Sequence, residues 1–504
     1  MRCRYAALVG LMVVGTMLTQ PTFAQPVDPI PLCDKLAAAG LDQGRLSDGV
    51  GRDDVDVERA TIACTAAVNL EPDSGRLLFQ LGRVRDRAGD FEGAFAHFET
   101  AVRQGYPAAM TMLGYALENG RGTAPDIDRA ISLYTSAARL GDPTAHYNLG
   151  ILYKTGQGVE RDLEAAAQHF EVASAAGHPG AVHETALIHF QLASTEADYN
   201  LALAQFREAA AGGIAGASYM VGYMLNYGLG ADTDPEEAAV FYGQAAAAGH
   251  ADAAWQLGMK YAEGLGTAKD PVKAIELYTV AAHAGSAGAM FSLGDAYERG
   301  LGVEASLPMA LRWFKQAAAL DHPEAVNAVG VAYSNGLGVE PDDVEAGRWF
   351  LRAAELGDPW GMKNAGDWFS EGRMGGPPDI EKGVYWTSKA ADAGLAEAQT
   401  RLGYFYLSGT GVRKDEEEAL RLFLLGAEGG DPVGMNNYGY MLQLRNASDA
   451  DLAAGFEWLL RAAEAGDVDG IENVAAAYRD GRGVPQDARK AAMWQAKASE
   501  ARAN

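Results

Sequence analysis

The stretch "VAYSNGLGVEPDDVEAGRWFLRAAELGDP", Val331 to Pro359, decides how this chain folds. Gly336 and Gly338 interrupt it two residues apart, then come Pro341, Asp342 and Asp343, then Trp349 and Phe350, then Gly357. Counted from Ala325 as position 1, apolar side chains fall at positions 1, 5, 8 and 9 (Ala325, Val329, Ala332, Tyr333), a single stripe of an α-helix, helix A. Gly336 suits the left-handed conformation that ends such a helix, and Gly338 permits a close reversal. Pro341 and the two acids suit the first turn of a second helix, B, the acids through its dipole. Helix B carries its own stripe, Ala346, Trp349, Phe350, Ala353 and Ala354, and stops at Gly357.

The pattern repeats. The small residue inside helix A falls at Gly114, Gly150, Ala186, Gly222, Gly258, Gly294, Gly330, Gly366, Gly403, Gly439 and Ala475, with successive spacings of 36 and a single 37. Eleven such units run over residues 109–504, and a shorter relative, 77–108, precedes them. The extra residue of the 37-residue unit falls in the glycine- and proline-rich turn Glu371 to Pro378, where insertion is tolerated. Two units lack the paired glycines, at Phe190 to Asn200 and Leu442 to Leu452, so their turns must be built differently. No hairpin of this kind buries its own stripe. Neighbours must therefore stack, which predicts an all-α, right-handed superhelical solenoid of antiparallel helix pairs.

The motif Ala-x-x-x-Leu-Gly-x-x-Tyr, then Gly-x-Gly-Val, then Ala-x-x-Trp-Phe-x-x-Ala-Ala-x-x-Gly resembles the Sel-one-like repeat (SLR) family, relatives of tetratricopeptide repeats. The unit 77–108, with "AGDFEGAFAHFETAV" and no Gly-x-Gly, is more similar to an ordinary tetratricopeptide repeat. The resemblance implies a scaffold that holds other proteins, and exported bacterial members are associated with envelope assembly, signalling and polysaccharide control. It also implies an alternative, because one cysteine-rich branch is associated with β-lactam binding or hydrolysis. That branch staples its repeats with cysteines, and these repeats contain none.

The first 24 residues read as a secretory leader: Arg2 and Arg4, an apolar run from Ala6 to Leu18, and Thr22-Phe23-Ala24 before the cleavage point. The run is short for a membrane span. Export to the periplasm is therefore expected, with residues 25–76 forming an N-terminal helical cap. Cys33 and Cys64 are the cysteines left after cleavage, and in an oxidising compartment they read as a disulfide, the alternative being two buried thiols. The net charge of −26 becomes more negative once Arg2 and Arg4 are removed, which disfavours nucleic acid and anionic lipid as partners.

Few residues suggest catalysis. "HETALIH" places His183 and His189 six apart, about 240° around a helix, so the two imidazoles diverge instead of sharing a zinc ion as residues at i and i+4 would. "RDDVDVE", Arg52 to Glu58, alternates acids but lacks the glycine of an EF-hand loop. No phosphate loop or nucleophile elbow is present, and no cofactor is expected. His178, His250 and His322 share position 34, read as cations at the end of helix B.

The remaining signal lies on helix A. Position 3, opposite the buried stripe, is Tyr147, His183, Tyr219, Trp255 and Phe291 in five consecutive units, an aromatic ridge fit either to anchor a partner or to pack the repeats. Asn148, Asn364, Asn437 and Asn473 at position 4 read either as clamps on a ligand backbone or as caps of their own helices. The expected function is a non-enzymatic protein-interaction scaffold of the cell envelope. Its partners would be envelope proteins or peptides held on a concave helix A surface. A cell-wall or β-lactam hydrolase, or a glycan binder, is the alternative, and a purely structural spacer a third.

Overall fold

The computed structural model describes residues 28–42, 45, 51, 53–373, 375–444 and 448–503; the stretch expected to be a leader, 1–24, and Arg52 lie outside them. Twenty-six α-helices and no strand occur among the described residues. They fall into two compact units, the first ending at Ile214 and the second beginning at Ala215. Within each unit the helices form antiparallel pairs stacked as a right-handed solenoid. Successive A helices touch one another, whereas B helices meet chiefly the A helices on either side, so the A helices form the inner face of each stack.

The glycine inside helix A records how closely its partner approaches. A Cβ placed on Gly330 would lie 2.6 Å from the Phe350 ring, and one on Gly294 would lie 2.3 Å from Phe314. Phe350 and Phe314 are themselves buried, so each B-helix ring occupies the space that a side chain on helix A would need. Gly150 against Phe170, Gly258 against Tyr278 and Gly403 against Phe423 repeat the contact.

The paired glycines of the turn divide their work as expected. Gly336 ends its helix in the left-handed conformation at φ 71°, its N–H donating to the Ala332 carbonyl. Gly338, at φ 75°, sits against the backbone of Leu307 at the start of the preceding B helix, where a Cβ would come within 2.6 Å of the main chain. Where it is present, the second glycine thus joins its hairpin to the one before it.

The two turns without glycines use capping boxes. Thr195 Oγ1 accepts from Asp198 N at 3.3 Å while Asp198 Oδ2 accepts from Thr195 N at 2.9 Å, and Ser448 and Asp451 repeat the exchange at 3.2 and 3.0 Å. Each B helix then starts a turn earlier and reaches 16 residues, Glu196–Ala211 and Asp449–Glu464, against 13 in the helix Asp343–Glu355. In the 37-residue unit the helices end at Glu371 and resume at Ile380, so the insertion lies in the loop.

At the N-terminal end, helices Pro29–Ala37 and Val57–Leu70 are joined by the Cys33–Cys64 disulfide, both sulfurs fully buried. This hairpin packs on the helix Gly75–Arg87 through Leu77, Leu81 and Val84. Asp34, buried beside the disulfide, pairs with Arg76 and accepts from Gln80 Nε2 at 2.8 Å, while Arg83 donates to the Ala37 carbonyl. A buried carboxylate so fully partnered fixes the register of the hairpin on the stack.

Candidate partner-binding face

Position 34 proves to be the N-cap of the following A helix. Asp142, Asp358, Asp431 and Asp467 each accept there from the backbone N–H three residues on, at 2.9, 2.7, 3.0 and 2.6 Å. Ser286 takes the same place before Ala289. His250 and His322 do so through Nδ1, accepting from Ala253 N at 3.3 Å and Ala325 N at 3.4 Å. These histidines therefore stand at the start of the A helix that follows rather than serving the end of helix B, and His322 Nδ1 also lies 3.2 Å from Glu324 Oε2. His178 is the exception, because Gly180 occupies the N-cap of its helix; burial lowers the His178 pKa, which favours neutral imidazole there.

Three of the ridge rings meet the position-34 histidines. Tyr147 stacks on His178 with ring centroids 4.1 Å apart, Tyr219 on His250 at 4.6 Å and Phe291 on His322 at 5.1 Å, with interplanar angles of 19°, 13° and 18°. Each ring also leans on the B-helix aromatic of its own unit, Phe170 at 5.5 Å, Tyr242 at 5.9 Å and Phe314 at 5.6 Å. Burial raises the Tyr147 and Tyr219 phenols above their ordinary value, so both keep their protons at neutral pH. His183 packs against Phe206 at 5.7 Å. Trp255 covers Gly288, where a Cβ would meet the indole at 2.8 Å, and its Nε1 donates to Ser292 Oγ at 2.9 Å. All five ridge side chains are half-buried, one face in the repeat packing and an edge left to solvent.

The Trp255–Ser292 bond runs from position 3 of one unit to position 4 of the next, and asparagines repeat it. Asn364 Nδ2 donates to Asn327 Oδ1 at 3.0 Å, and Asn473 Nδ2 to Asn436 Oδ1 at 2.8 Å. Asn437 instead donates to the Tyr404 hydroxyl at 2.6 Å. Asn148 lies within hydrogen-bonding reach of the Tyr134 hydroxyl, which donates to Glu118 Oε2 at 2.7 Å. These asparagines tie neighbouring helices together, and the cap of the Asn148 helix is Asp142. Such ladders fix the spacing of successive A helices, the setting an inner-face binding site requires.

The candidate metal motifs resolve into ordinary contacts. His189 Nδ1 bonds Gln205 Oε1 at 2.7 Å, away from His183 on Phe206. Asp56 caps the helix Val57–Leu70, and Asp53 pairs with Arg87 at 3.8 Å. No group of three or more histidine, cysteine or carboxylate side chains positioned to hold a metal ion occurs among the described residues. Among them, too, no helix is long and apolar enough to cross a membrane.

Comparison with known proteins agrees with the geometry. The Sel1 repeat model matches residues 107–142, 143–178, 215–250, 251–286, 287–322, 323–358, 361–395, 396–431, 432–467 and 468–502, leaving out the capping-box unit that precedes residue 215. A protective antigen of uropathogenic Escherichia coli strains, described as displaying an SLR fold, is 27% identical over 81% of this chain and 79% of its own, with a TM-score of 0.55. A Sel1 repeat protein from Oxalobacter formigenes is 28% identical over 48% of this chain and 96% of its own, with a TM-score of 0.44. No curated protein matches. With matched segments over well more than half its length, the chain belongs to the Sel1 repeat family.

Proposed function

We propose that this protein is a non-enzymatic scaffold of the bacterial cell envelope, exported by its leader and holding partner proteins on the inner, A-helix face. The observation that carries the proposal is the lateral bonding of that face. Position 3 of one unit is locked to position 4 of the next at Trp255–Ser292, Asn327–Asn364 and Asn436–Asn473. A row of helices held at fixed spacing loses little freedom when a partner lies across it, which favours binding. Tyr219, Trp255 and Phe291 present solvent-facing edges along that row, and aromatic edges on a rigid surface are effective anchors. Family membership supports protein–protein contact as the general role. The buried Cys33–Cys64 bridge suits an oxidising compartment such as the periplasm.

Crosslinking in the native cell tests this. Partners recovered with the wild-type chain should be lost with Tyr219→Ala/Trp255→Ala. Because both rings also pack between repeats, the comparison needs thermal denaturation of the double variant and a second, surface variant, Tyr227→Ala, at a tyrosine 56% exposed at the end of the Tyr219 helix. An unchanged partner list from a folded double variant would remove the ridge from the binding face.

A further inference from the structure

In four hairpins the second glycine of the turn lies on the first residue of the preceding B helix. A Cβ on Gly122, Gly266, Gly302 or Gly338 would come within 2.6 Å of the main chain of Phe91, Pro235, Pro271 or Leu307 in turn. Leu337 and Val339, on either side of Gly338, pack on the core around Leu311 and Phe314. By the repeat register Ser194 stands where such a glycine would meet Leu163, the first residue of the helix Leu163–Ala175. Here the capping box replaces the covering loop, and the helix before it runs on to Leu192. An open notch of about 900 Å³ lies at this place, with Tyr153, Val159, Leu163 and Leu192 as its apolar wall. Leu192, on the rim, is 49% exposed.

The lip of the notch is acidic, with Glu160, Asp162 and Glu164 against Arg161. Arg161 is turned away to the Lys154 carbonyl, to which its Nε donates at 3.1 Å, and the nearby Lys154 amine is paired with Glu184 at 2.7 Å. Asp162 caps its own helix, while Glu160 and Glu164 are exposed. The chain itself displays what answers such a surface. Arg121, between Gly120 and Gly122, lies over the Phe91 ring at 4.3 Å and pairs with Asp86 at 3.5 Å. Arg482, between Gly481 and Gly483, donates to the Gln443 carbonyl of the preceding hairpin at 2.6 Å. These loops are already seated on their own neighbours, so the occupant of the notch comes from another molecule.

We propose that the notch receives a tight turn of another protein, of the form Gly-Arg-Gly followed by an aliphatic residue, which completes the stack where this chain omits its own loop. The second glycine meets the backbone at Leu163, the arginine faces Glu160 and Glu164, and the aliphatic side chain covers Val159 and Leu192. The notch lies at the hairpin turns, so it is a surface separate from the A-helix face and is tested independently of it. The probes are three fluorescein-labelled peptides closed by a disulfide: CDGRGVPQDC, which repeats residues 480–487, CDARAVPQDC and CDGEGVPQDC. They are titrated by anisotropy at low ionic strength into the chain lacking residues 1–24. The Gly-Arg-Gly peptide should bind at least about tenfold more tightly than either control, a difference of about 1.4 kcal/mol, because alanine cannot follow the left-handed backbone and glutamate reverses the charge.

Replacing residues 191–200 by the sequence of residues 335–344 restores a Gly-x-Gly loop without changing the chain length, and should abolish that binding. Glu160→Lys/Glu164→Lys, at two exposed positions, should weaken it several-fold and flatten its dependence on salt. Circular dichroism establishes that each variant is folded; if the graft is not, the charge variant alone decides. Equal binding of the three peptides overturns the proposal, as does a preference that survives the folded variants. A dimer of the wild-type chain that the graft abolishes, read by sedimentation, would also overturn it, because the notch would then belong to a second copy of this chain.

Discussion

Adding one methyl group should have opposite signs at two glycines of the same fold. Gly330→Ala and Gly243→Ala both place alanine inside a helix, which by propensity alone stabilises by about 1 kcal/mol. Gly243, half-buried in the helix Pro235–Ala247, has only Leu257 Cδ2 near its missing Cβ, at 3.9 Å, an ordinary contact. Gly330 has the Phe350 ring at 2.6 and 2.7 Å and the Ala346 carbonyl at 3.3 Å, and Phe350 is 1% exposed, with nowhere to move. Overpacking a tight core costs about 1 to 3 kcal/mol, so Gly330→Ala should be destabilising by up to about 2 kcal/mol after the propensity gain. Gly243→Ala should stabilise by about 0.5 to 1 kcal/mol.

A repeat array does not unfold as one two-state unit, so amide hydrogen exchange within each hairpin is the appropriate assay. Protection should fall in the helices Pro323–Asn335 and Asp343–Glu355 for the first variant and rise in Pro235–Ala247 for the second. Phe350→Leu combined with Gly330→Ala should destabilise less than the two separate effects added, by about 1 kcal/mol, because the smaller side chain vacates the space the methyl enters. Equal stabilisation at both glycines, or strict additivity in the cycle, would refute the argument that the B-helix ring excludes a side chain at Gly330 and at the glycines packed like it.

Replacing Cys33 and Cys64 by serine opens a separation of 31 residues and should lower the stability of the N-terminal hairpin by about 3 to 4 kcal/mol, read as a shift in denaturation midpoint that reductant reproduces in the wild type. At the buried cap Asp358, burial pushes the carboxyl up, against the opposing hydrogen bond from Gly361, so its contribution is complete below the unfolded carboxylate value and declines as pH rises through the higher folded one. Asp358→Asn keeps the cap and removes that dependence, while Asp358→Ala should lose about 1 kcal/mol at pH 7; denaturation at pH 4 and 7 separates the three proteins. At the exposed Asp198, hydrogen bonds from Ser194 and Thr195 hold the carboxyl low, so its contribution is complete above the unfolded value and lost as pH falls through the lower folded one. Exchange at the start of Glu196–Ala211, corrected for intrinsic rates, should therefore accelerate in acid and in Asp198→Ala alike.

What could be read from the sequence and what could not divide along a physical line. The period, the two helices and the double glycine repeat within each unit, so their causes lie within one hairpin or at its turn. Position 34 is ambiguous in sequence because a histidine before an A helix also follows a B helix, and sequence distance does not say which end it serves. The cap geometry at His250 and His322 decides in favour of the A helix. The asparagines at position 4 read as ligand clamps or local caps in the sequence because their partners lie in the preceding unit: at position 3, a full repeat away, for Asn364 and Asn473, and on tyrosines elsewhere in that unit for Asn437 and Asn148. A search for polar pairs 37 residues apart would have found Trp255 with Ser292, Asn327 with Asn364 and Asn436 with Asn473. The ridge has the same character: a ring stacked on the cap of the next helix is a joint between repeats, and its free edge belongs to the surface that the joint keeps in place. Packing and recognition are therefore two faces of one side chain here. A variant that trims only the edge, such as Tyr219→Phe, should leave the His250 stacking intact while removing the hydroxyl. Comparing its partner binding with that of Tyr219→Ala separates the two roles.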